Sequence, residues 1–483
     1  MKAKRLPNIL IKPDHKRLLF RPFKPLRIER ILKIIARIMA LSESKVKREL
    51  NQVIVEFGHR HQKLEKIFLM RFEEVRKYLL TDEPLSEERK LLIGAYFTQE
   101  YSLESAALFN PSMIWHPDQS DLPEGSRRFI LSLRATGEGH ISSITFRTGV
   151  IDTNHNIQME EPTRFVTSPE IHPNPFYEKS LFEQKLIELE LLNDFTSRVM
   201  AGLEEFFTLH DLQENISYAW RQSRNRDGDH KTTANAILAL AESNYEISFS
   251  SDDPLCERII FPSSIAENNG IEDARFVGFC DDDGSIIYYA TYTAYDGKTI
   301  FPQLIETTNF LEFKVSTLNG PAVHNKGFAL FPRKINGSYV MLSRQDNENI
   351  YLMFSDRLHF WYDKNIILKP TYPWEFIQIG NCGSPIETEA GWLVISHGVG
   401  YMRKYAMSAF LLDLDDPTRV IGRLREPLLS PNENEREGYV PNVVYSCGSQ
   451  IHERMLIIPY AIADYVSTFA IVDLDELLTE LTS

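Results

Sequence analysis

The chain has 483 residues and a formal net charge of −14, and 43% of its residues are hydrophobic and 11% aromatic. This apolar fraction is typical of a folded globular protein rather than a disordered one, and the length leaves room for two or more structural units. The acidic balance argues against nucleic-acid binding. No stretch reaches the ~20 consecutive apolar residues of a membrane span. We therefore predict a soluble, cytoplasmic protein without nucleic-acid or membrane partners.

The first 36 residues differ from the rest of the chain in being basic. They hold eleven Lys or Arg residues against only Asp14 and Glu29. They also lack the long apolar stretch and the small-residue cleavage site of a signal peptide. We interpret them as a solvated tail or as an arm packed on the acidic remainder, in preference to a contact for an acidic partner.

Residues 27–80 are predicted to be helical. In "RIERILKIIARIMALS" the apolar residues recur at steps of three and four, which gives a helix with one apolar face. Ser42 or Ser44 is a candidate N-cap for a second helix, "KVKRELNQVIVEFGHRHQKLEKIFLMRFEEVRKYLL". Ser86 is a candidate cap for a third helix.

Strand patterns begin near residue 105 and dominate again from residue 246. "FNPSMIWHPDQ", "RRFILSLRATG" and "HISSITFRTGVID" are short, rich in β-branched and aromatic residues, and bounded by Pro, Gly or Asp. Later segments form hairpins, most clearly around Asn336-Gly337. Hairpins at irregular spacing without βαβ alternation favour a β-propeller over a Rossmann or TIM fold. We divide the chain into a helical extension (1–100), a first β part (101–165), a helical insertion (166–245) and the remaining β part (246–483).

No metal site is predicted. "DDDG" at 281–284 lacks the other ligand positions of a calcium loop and is interpreted as a hairpin turn. His59 and His61 stand two apart on a predicted helix, so they do not face each other and are expected at the surface. The four cysteines have no zinc spacing, which predicts reduced, buried thiols at Cys256, Cys280, Cys382 and Cys447.

Polar residues lie where predicted strands meet turns, and a propeller gathers such positions around its central channel. Lys326, Arg344 and His397 have the chemistry to bind an oxyanion. Asp273 stands beside an apolar strand, so partial burial is expected to raise its pKa and suit it to general acid catalysis. Each residue taken alone is more often a surface or salt-bridge residue. The full set is Asn110, Ser112, Arg134, His140, Arg147, Asp273, Arg275, Tyr295, Asp296, Lys326, Arg344, His397, Tyr405 and Asp464.

Seven segments together resemble one known family. They are "FNPSMIWHPDQ", "NNGIEDAR", "NKGFALFPRKINGSYVMLSR", "GSPIETEAGWLVISHGVG", "SAFLLDLDDPTRVIGRLREPLLSP", "EREGYVPNVVYSCG" and "YAIADYVSTFAIVDLDELL". Over about residues 101–165 and 246–483 the chain resembles glycoside hydrolase family 130, the β-mannoside phosphorylases. The resemblance implies a five-bladed β-propeller with its active site in the central cavity. The helical extension and insertion resemble those of larger members, among them 1,2-β-oligomannan phosphorylases.

The resemblance also implies roles for individual residues. Asp273, in the "ED-x-R" motif, would be the proton donor, and Glu272 and Arg275 would fix its loop and electrostatics. The implied phosphate-binding residues are Lys326, Arg344, His397 and Tyr405, and the implied mannosyl-binding residues are Asn110, Arg134, Tyr295, Asp296 and Asp464. Two positions depart from some members, since Ala274 replaces the proline of "EDPR" and Gln378 stands where those members have a lysine.

The implied reaction depends on how the family divides between phosphorylases and hydrolases. Inverting hydrolysis needs a second carboxylate ~6.5–9.5 Å from the acid, whereas phosphorolysis needs cations that hold phosphate. This chain keeps Lys326, Arg344 and His397, where the family's hydrolases have acidic residues. The resemblance thus implies phosphorolysis of a β-mannoside, β-1,2-linked, to α-mannose 1-phosphate, with inorganic phosphate as co-substrate and no metal or organic cofactor.

Two alternatives stay open at this stage. One is a β-mannosidase of the same family, and the other is a sugar-binding propeller without activity. The helical segments also allow two interpretations, because their apolar faces can pack within the molecule or form a homo-oligomer interface.

Overall fold

The computed structural model describes residues 2–222, 228–297 and 300–483, and this part of the chain is mainly β. The N-terminal region combines strands with the predicted helices. Its elements are β1 (Lys4–Ile11), β2 (Leu18–Pro22), α1 (Ile28–Met39), α2 (Glu43–Phe57), α3 (Leu64–Val75), α4 (Glu87–Tyr96) and β3 (Thr98–Ser102). Ser86 caps α4 by accepting from the Arg89 backbone N–H at 3.2 Å, whereas Ser42 occupies the N-cap of α2 without a side-chain cap bond.

A first group of strands follows, and then the second helical region. The strands are β4 (Ala107–Trp115), β5 (Arg127–Thr136), β6 (Ser142–Ile151) and β7 (Ile157–Met159). The second region holds β8 (Glu170–Pro173), β9 (Tyr177–Glu178), α5 (Lys179–Glu188), α6 (Asp194–Ala201), β10 (Phe206–Phe207), α7 (Leu209–Gln222), α8 (Gly228–Glu242) and β11 (Tyr245–Ser248). Its helices have a hydrophobic cluster of their own, built around residues such as Phe195 and Leu212.

The rest of the chain is almost entirely strands. They are β12 (Ile259–Ile260), β13 (Ile271–Cys280), β14 (Ile286–Tyr295), β15 (Ile300–Thr307), β16 (Glu312–Thr317), β17 (Lys326–Leu330), β18 (Tyr339–Arg344), β19 (Ile350–Ser355), β20 (Asn365–Leu368), β21 (Gln378–Asn381), β22 (Ile386–Thr388), β23 (Gly391–Val399), β24 (Tyr405–Leu412), β25 (Val420–Arg423), β26 (Val444–Tyr445), β27 (Gln450–His452), β28 (Met455–Ile462) and β29 (Val466–Asp473). Helix α9 (Leu474–Thr482) ends the chain.

Within the described ranges these strands form five antiparallel sheets of four to six strands and two two-stranded ribbons. The five orders are β12-β6-β5-β4, β13-β14-β15-β16-β11-β8, β17-β18-β19-β20, β21-β23-β24-β25 and β1-β29-β28-β26, with β7, β22 and β27 pairing β6, β23 and β28. Strands β4, β13, β17, β21 and β26 lie at one edge of their sheets. Contacts run from β4 to β13, from β13 to β17 and from β17 to β21, while β26 contacts β24 and β28 contacts β4. These edges therefore surround a common centre.

Strand β1, within the basic start, pairs with β29, with Lys4 opposite Ile471, which agrees with the packed-arm interpretation. Two predictions for the helices that follow were wrong. The long second helix is broken between α2 and α3. At this break His61 is buried rather than at the surface, since its ring stacks on Phe20 at 3.7 Å and its Nε2 lies 2.7 Å from Glu100 Oε1.

The turn and thiol predictions can also be compared with the structure. Asn336 and Gly337 both have positive φ (51° and 81°), as the predicted hairpin turn requires, and residues 281–284 connect β13 to β14 as a turn.

All four cysteines are free. Cys382 and Cys447 are buried as predicted, but Cys256 is only partly buried and Cys280 is exposed at the end of β13, so the prediction was wrong for these two. Throughout the described ranges, every helix is too short or too polar to cross a bilayer.

Candidate active site

A repeated irregularity in the inner strands aims side chains at the centre of the molecule. In β13, Glu272 and Arg275 pair with Thr293 and Thr291, so two residues of β13 oppose one of β14. This β-bulge contains Asp273, whose φ is +54°. The same register shift occurs in β4 around Asn110 (φ +49°) and in β17 around Gly327 (φ +91°). Asn, Asp and Gly are the residues that tolerate this left-handed conformation best.

Two of these bulges bring their side chains into contact. Asp273 Oδ1 accepts a hydrogen bond from Asn110 Nδ2 at 2.6 Å. Arg134 joins the two neighbouring carboxylates, since its Nη1 lies 3.4 Å from Asp273 Oδ1 and its Nη2 donates to Glu272 Oε1 at 2.9 Å. Lys326 Nζ approaches Glu272 Oε2 at 3.8 Å. Together with Arg275, these residues form what we call the Asp273 cluster: Asn110, Arg134, Glu272, Asp273, Arg275 and Lys326.

Arg275 connects the Asp273 cluster to Tyr445. It is buried, its Nη1 donates to the Asp273 carbonyl oxygen at 3.3 Å, and its Nη2 donates to the Tyr445 hydroxyl at 2.8 Å. The latter residue was not named by the sequence analysis, although it lies in the quoted segment "EREGYVPNVVYSCG". Side chains from the sheets of β4, β13 and β26 therefore meet at Asp273.

The electrostatics of Asp273 differ from the sequence prediction. Burial alone raises the pKa of its carboxyl group, but the positive charges of Arg134, Arg275 and Lys326, with the bond from Asn110, outweigh burial and lower that pKa. The expectation of a raised pKa was therefore wrong, because it considered the apolar strand and not the cations brought by other sheets.

A different carboxyl group in the site has the raised pKa. Burial, aided by the negative charge of Asp273, raises the pKa of Asp464 to about 7, while Arg134 and Arg403 act in the opposite direction. Asp464 lies between β28 and β29 with a positive φ of 49°. Near neutral pH this group exchanges a proton readily, whereas Asp273 is ionised.

Basic side chains lie beside this cluster. Lys326 and Arg344 are directly opposite each other in the β17–β18 pair. Gly380 is closely approached by two of the predicted phosphate-binding residues, because a Cβ there would lie 3.0 Å from Arg344 Cδ and 2.4 Å from His397 Cε1. A side chain at position 380 would thus displace Arg344 or His397, which explains the glycine.

His397 is a neutral donor rather than a cation. It is buried, and burial followed by the charges of Arg344 and Arg275 lowers its pKa well below the ordinary value. Its ring stacks on Tyr405 at 5.8 Å and meets the edge of Tyr445 at 4.9 Å. Its Nδ1 faces Cys382 Sγ at 3.7 Å. Asp273 also contributes to the electrostatics of His397, so the two residue groups share one site.

The site contains buried polar atoms that no described residue satisfies. Among them are Asn110 Oδ1, Arg134 Nε, Arg344 Nε, Gln378 Nε2 and His397 Nε2. Buried polar atoms are nearly always hydrogen-bonded in folded proteins, so each exception needs a reason. Nitrogen atoms from Arg344, Gln378 and His397 form a set suited to the oxygens of an anion.

The structure places the remaining predicted residues as follows. Tyr295 lies at the end of β14 beside the start of β13, and its hydroxyl donates to the Gly297 carbonyl oxygen at 3.0 Å. Asp296 is the next residue, just outside the strand. Ser112 Oγ accepts from the Phe276 backbone N–H at 3.1 Å, which is a structural contact. His140 is bonded to the Tyr439 hydroxyl at 2.8 Å.

Arg147 does not belong to this site. Its Nη2 donates to Glu104 Oε1 at 2.8 Å inside the hydrophobic body of the molecule, and Arg17 Nε donates to the same oxygen at 2.9 Å. We call Arg17, Glu104 and Arg147 the core cluster. A position at a strand was not enough to separate this structural arginine from those that face the centre.

Comparisons with known proteins agree with the motifs. The model of glycoside hydrolase family 130, described as beta-1,4-mannooligosaccharide phosphorylase, matches residues 227–482. A 1,2-beta-oligomannan phosphorylase of Thermoanaerobacter sp. (strain X514) is 40% identical over 218 residues, which are 44% of this chain and 71% of that protein. A beta-1,2-mannobiose phosphorylase of Listeria innocua is 29% identical over 373 residues, 73% of this chain and 95% of that protein.

Solved structures include the beta-1,2-mannobiose phosphorylase from Listeria innocua in complex with beta-1,2-mannobiose. It is 24% identical to this chain, with a TM-score of 0.48, and the match covers 79% of this chain and 93% of that one.

Proposed function

The chain belongs to glycoside hydrolase family 130, and from that premise we propose that it is an inverting glycoside phosphorylase. It takes a β-mannoside, β-1,2-linked, and inorganic phosphate, and it releases α-mannose 1-phosphate and a shortened mannooligosaccharide. The reaction is reversible, so mannose 1-phosphate also serves as a donor for chain extension. Relatives named as 1,2-beta-oligomannan and beta-1,2-mannobiose phosphorylases support this choice of linkage.

The observation that carries the proposal is the set of unsatisfied donors beside Asp273. Arg344 and His397 converge over Gly380, and each has a buried nitrogen without a partner. Lys326 lies opposite Arg344 and supplies a mobile charge. An anion with several oxygens satisfies these donors together, and Tyr405 stands beside His397 at the same place. Water as the nucleophile would leave the positive charge unmatched.

Gln378 takes part in phosphate binding in this proposal. Some relatives have a lysine here, as the sequence analysis noted, but an amide still offers two N–H donors. Its Nε2 is buried without a partner in the described structure. The glutamine therefore replaces a charged contact with a neutral one and leaves Lys326 and Arg344 to provide the charge.

Asp273 is the proton donor, and phosphate binding prepares it for that role. The cations that lower its pKa in the free protein include Lys326, which also faces the proposed phosphate. A bound phosphate offsets this positive charge, so the pKa of Asp273 rises when the site is loaded. The proton then passes to the leaving oxygen, directly or through a sugar hydroxyl.

The mannosyl unit is held by Asn110, Arg134, Tyr295, Asp296 and Asp464. Glu272 and Arg275 position these residues and set the charge around Asp273. Glu272 accepts a hydrogen bond from Arg134 at 2.9 Å, and Arg275 donates to the Asp273 carbonyl oxygen at 3.3 Å. Phosphate attacks the anomeric carbon from the face opposite the leaving oxygen. The chemistry proposed here needs no metal or organic cofactor.

The five sheets are the five blades of a β-propeller in this account, with the active site at one end of its central channel. Residues 1–100 and 166–245 are additions to that propeller. Strand β1 joins the last blade, and β8 and β11 extend the blade of β13. The exposed apolar residues of these additions, such as Val55 and Phe206, allow a homo-oligomer.

The test is incubation with β-1,2-mannobiose and longer β-1,2-mannooligosaccharides, with and without inorganic phosphate. Formation of α-mannose 1-phosphate that depends on phosphate is the expected result. Release of free mannose at the same rate without phosphate would instead identify a hydrolase. Binding of the sugar without any turnover under either condition would identify a sugar-binding protein.

A further inference from the structure

A pocket lies at the far ends of the inner strands, away from Asp273. It has a volume of about 460 Å³, within the range of small-molecule sites. All five sheets contribute to its lining through the far ends of their inner strands or the turns that follow, among them Trp115, Gly278, Arg333, Ser384 and Ser449. We call it the far pocket.

The far pocket is separate from the proposed active site. Asp273 and Gly278 are five residues apart on β13, about 17 Å at roughly 3.3 Å per residue. Between them, hydrogen bonds connect segments of three sheets. Cys447 N–H donates to the Pro111 carbonyl oxygen at 2.8 Å, and Phe276 N–H donates to Ser112 Oγ at 3.1 Å.

The charges that line the far pocket are not balanced. Arg333 is matched, because its Nε and Nη2 donate to both oxygens of Glu387 at 2.8 and 2.7 Å. His116 accepts from the Asp118 backbone N–H at 2.9 Å, and burial lowers its pKa, so it is neutral. Arg127 contacts no carboxylate of the described chain.

Arg127 lies over the Trp115 ring instead, with its guanidinium carbon 4.1 Å from the ring centroid. This stacked position fixes the plane of the guanidinium at the mouth of the pocket and leaves its N–H groups available. A planar arginine of this kind binds phosphate or carboxylate through two parallel hydrogen bonds.

The rest of the lining suits a compact polar molecule with a ring. Ser384 Oγ and Ser449 Oγ are buried without a hydrogen-bond partner in the described structure, and only 5% of Ser449 is exposed. Each hydroxyl can donate one hydrogen bond and accept two. Trp115 and Tyr288 add aromatic surface, which packs against the apolar face of a sugar ring.

We propose that the far pocket is a second ligand site, which binds a sugar phosphate with its phosphate on Arg127 and its ring hydroxyls on Ser384 and Ser449. The site goes beyond the proposed reaction, and only the choice of α-mannose 1-phosphate as the ligand to be tested rests on that reaction.

The chain offers a variant that fills the far pocket without disturbing the backbone. A Cβ at Gly278 would lie 3.6 Å from Tyr288 Cε1, 3.8 Å from Ile286 Cγ2 and 3.9 Å from Tyr288 Cδ1, which are ordinary contacts. Gly278→Leu therefore occupies the pocket. Arg127→Gln removes the charge from an exposed position, so folding is not at risk. Arg128→Gln is the matched control, since Arg128 is the next residue of β5 and instead contacts the Asp118 carbonyl oxygen.

The experiment is equilibrium dialysis of α-mannose 1-phosphate against the full chain, scored as ligands bound per chain. The wild type and Arg128→Gln should bind two, Gly278→Leu should bind one, and Arg127→Gln should bind the second at least about tenfold more weakly, the effect of losing a hydrogen bond to a charged group. Equal binding by the wild type, Gly278→Leu and Arg127→Gln would overturn the proposal.

Binding of phosphate alone and of mannose alone tests the two parts of the ligand, and the number of ligands bound per chain distinguishes the two sites. Inorganic phosphate alone and mannose alone should each bind the far pocket at least about tenfold more weakly than α-mannose 1-phosphate, and equal binding by either would overturn a sugar-phosphate site. One ligand on the wild type and none on Gly278→Leu would support the far pocket while contradicting the proposed active site. One ligand on both would contradict the far pocket alone.

Discussion

The molecule buries two groups of arginines and carboxylates, and they are built in opposite ways. In the core cluster, Glu104 Oε1 accepts from Arg17 and Arg147, and its Oε2 accepts from the Asp14 backbone N–H at 3.2 Å. Arg17 also donates to the carbonyl oxygens of Thr163 and Cys256, both at 2.6 Å. The hydrogen bonds of Glu104 and Arg17 are therefore made inside the protein, although two guanidinium groups share this one carboxylate.

The residues around Asp273, by contrast, leave several buried polar atoms without a hydrogen-bond partner. Arg134, Arg344 and His397 each keep a buried nitrogen without a partner, and Asn110 keeps an oxygen. Arg344 is buried, and it contacts no carboxylate in the described part of the chain. Since an unsatisfied buried polar group costs about 1–3 kcal/mol, such an arrangement is retained where a ligand completes it. The contrast separates a cluster that stabilises the fold from one that we propose binds the substrates.

The largest effect is expected for Asp273→Asn. The change keeps the shape of the side chain but removes the proton donor, so α-mannose 1-phosphate formation should fall by about 10²–10⁴-fold. Some loss of melting temperature is also expected, because the lowered pKa of Asp273 means that its charge stabilises the folded protein, so turnover is counted per folded molecule. Initial rates and thermal unfolding measure the two quantities. Unchanged turnover would remove Asp273 from the mechanism.

Glu104→Gln should give the reverse pattern. It leaves the buried charges of Arg17 and Arg147 without their carboxylate, which costs about 3–5 kcal/mol of the free energy of unfolding. The rate per folded molecule should not change. Glu73→Gln is the control, because Glu73 forms an exposed pair with Arg76 whose loss costs less than about 1 kcal/mol. Denaturant unfolding would contradict the account if the two variants were equally stable.

Arg344→Gln sharpens the comparison between the two clusters. Removing one charged donor to phosphate should raise the KM for phosphate by about 10–100-fold, from the ~1.5–3 kcal/mol of a hydrogen bond to a charged group. The free energy of unfolding should not fall, because no carboxylate loses its partner. Arg147→Gln should instead reduce stability and leave that KM unchanged. The same result for both variants would show that the distinction is not valid.

The smallest effect concerns Asp464 and pH. Its pKa is raised to about 7 in the folded protein, against ~3.9 for an unfolded aspartate. Between these values the unfolded chain has released a proton that the folded protein keeps, so this group lowers the free energy of unfolding as pH rises from about 4 to 7. Asp464→Asn should lose less stability than the wild type between pH 5 and pH 8 in urea unfolding. Equal losses would contradict the raised pKa.

Local patterns in the sequence predicted most of the elements. The periodicity of residues 27–80 gave helices, and Asn336-Gly337 gave a hairpin, because both signals act between near neighbours. Strand β1 was not foreseen as a strand of the last sheet, since its pairing with residues near 471 is a contact across the whole chain. The burial of His61 has the same origin, because Phe20 and Glu100 come from distant segments.

The site was predictable as a set of residues but not as an electrostatic system. The motif resemblance selected Asp273, Lys326, Arg344 and His397, and the structure places them together. It could not give the lowered pKa of Asp273, which depends on cations from several sheets, or the neutral state of His397. Arg147 shows the limit of arguing from strand position, because residue type and position in the chain do not reveal that a carboxylate from another segment pairs with it.

The most direct test of the central claim is a crystal structure of Asp273→Asn with β-1,2-mannobiose and inorganic phosphate. We expect phosphate oxygens at hydrogen-bonding distance, about 2.7–3.2 Å, from Arg344 Nε and His397 Nε2, with Lys326 nearby and a mannose ring between the phosphate and position 273. A phosphate bound elsewhere, with those two nitrogens still unpaired beside the sugar, would contradict the account.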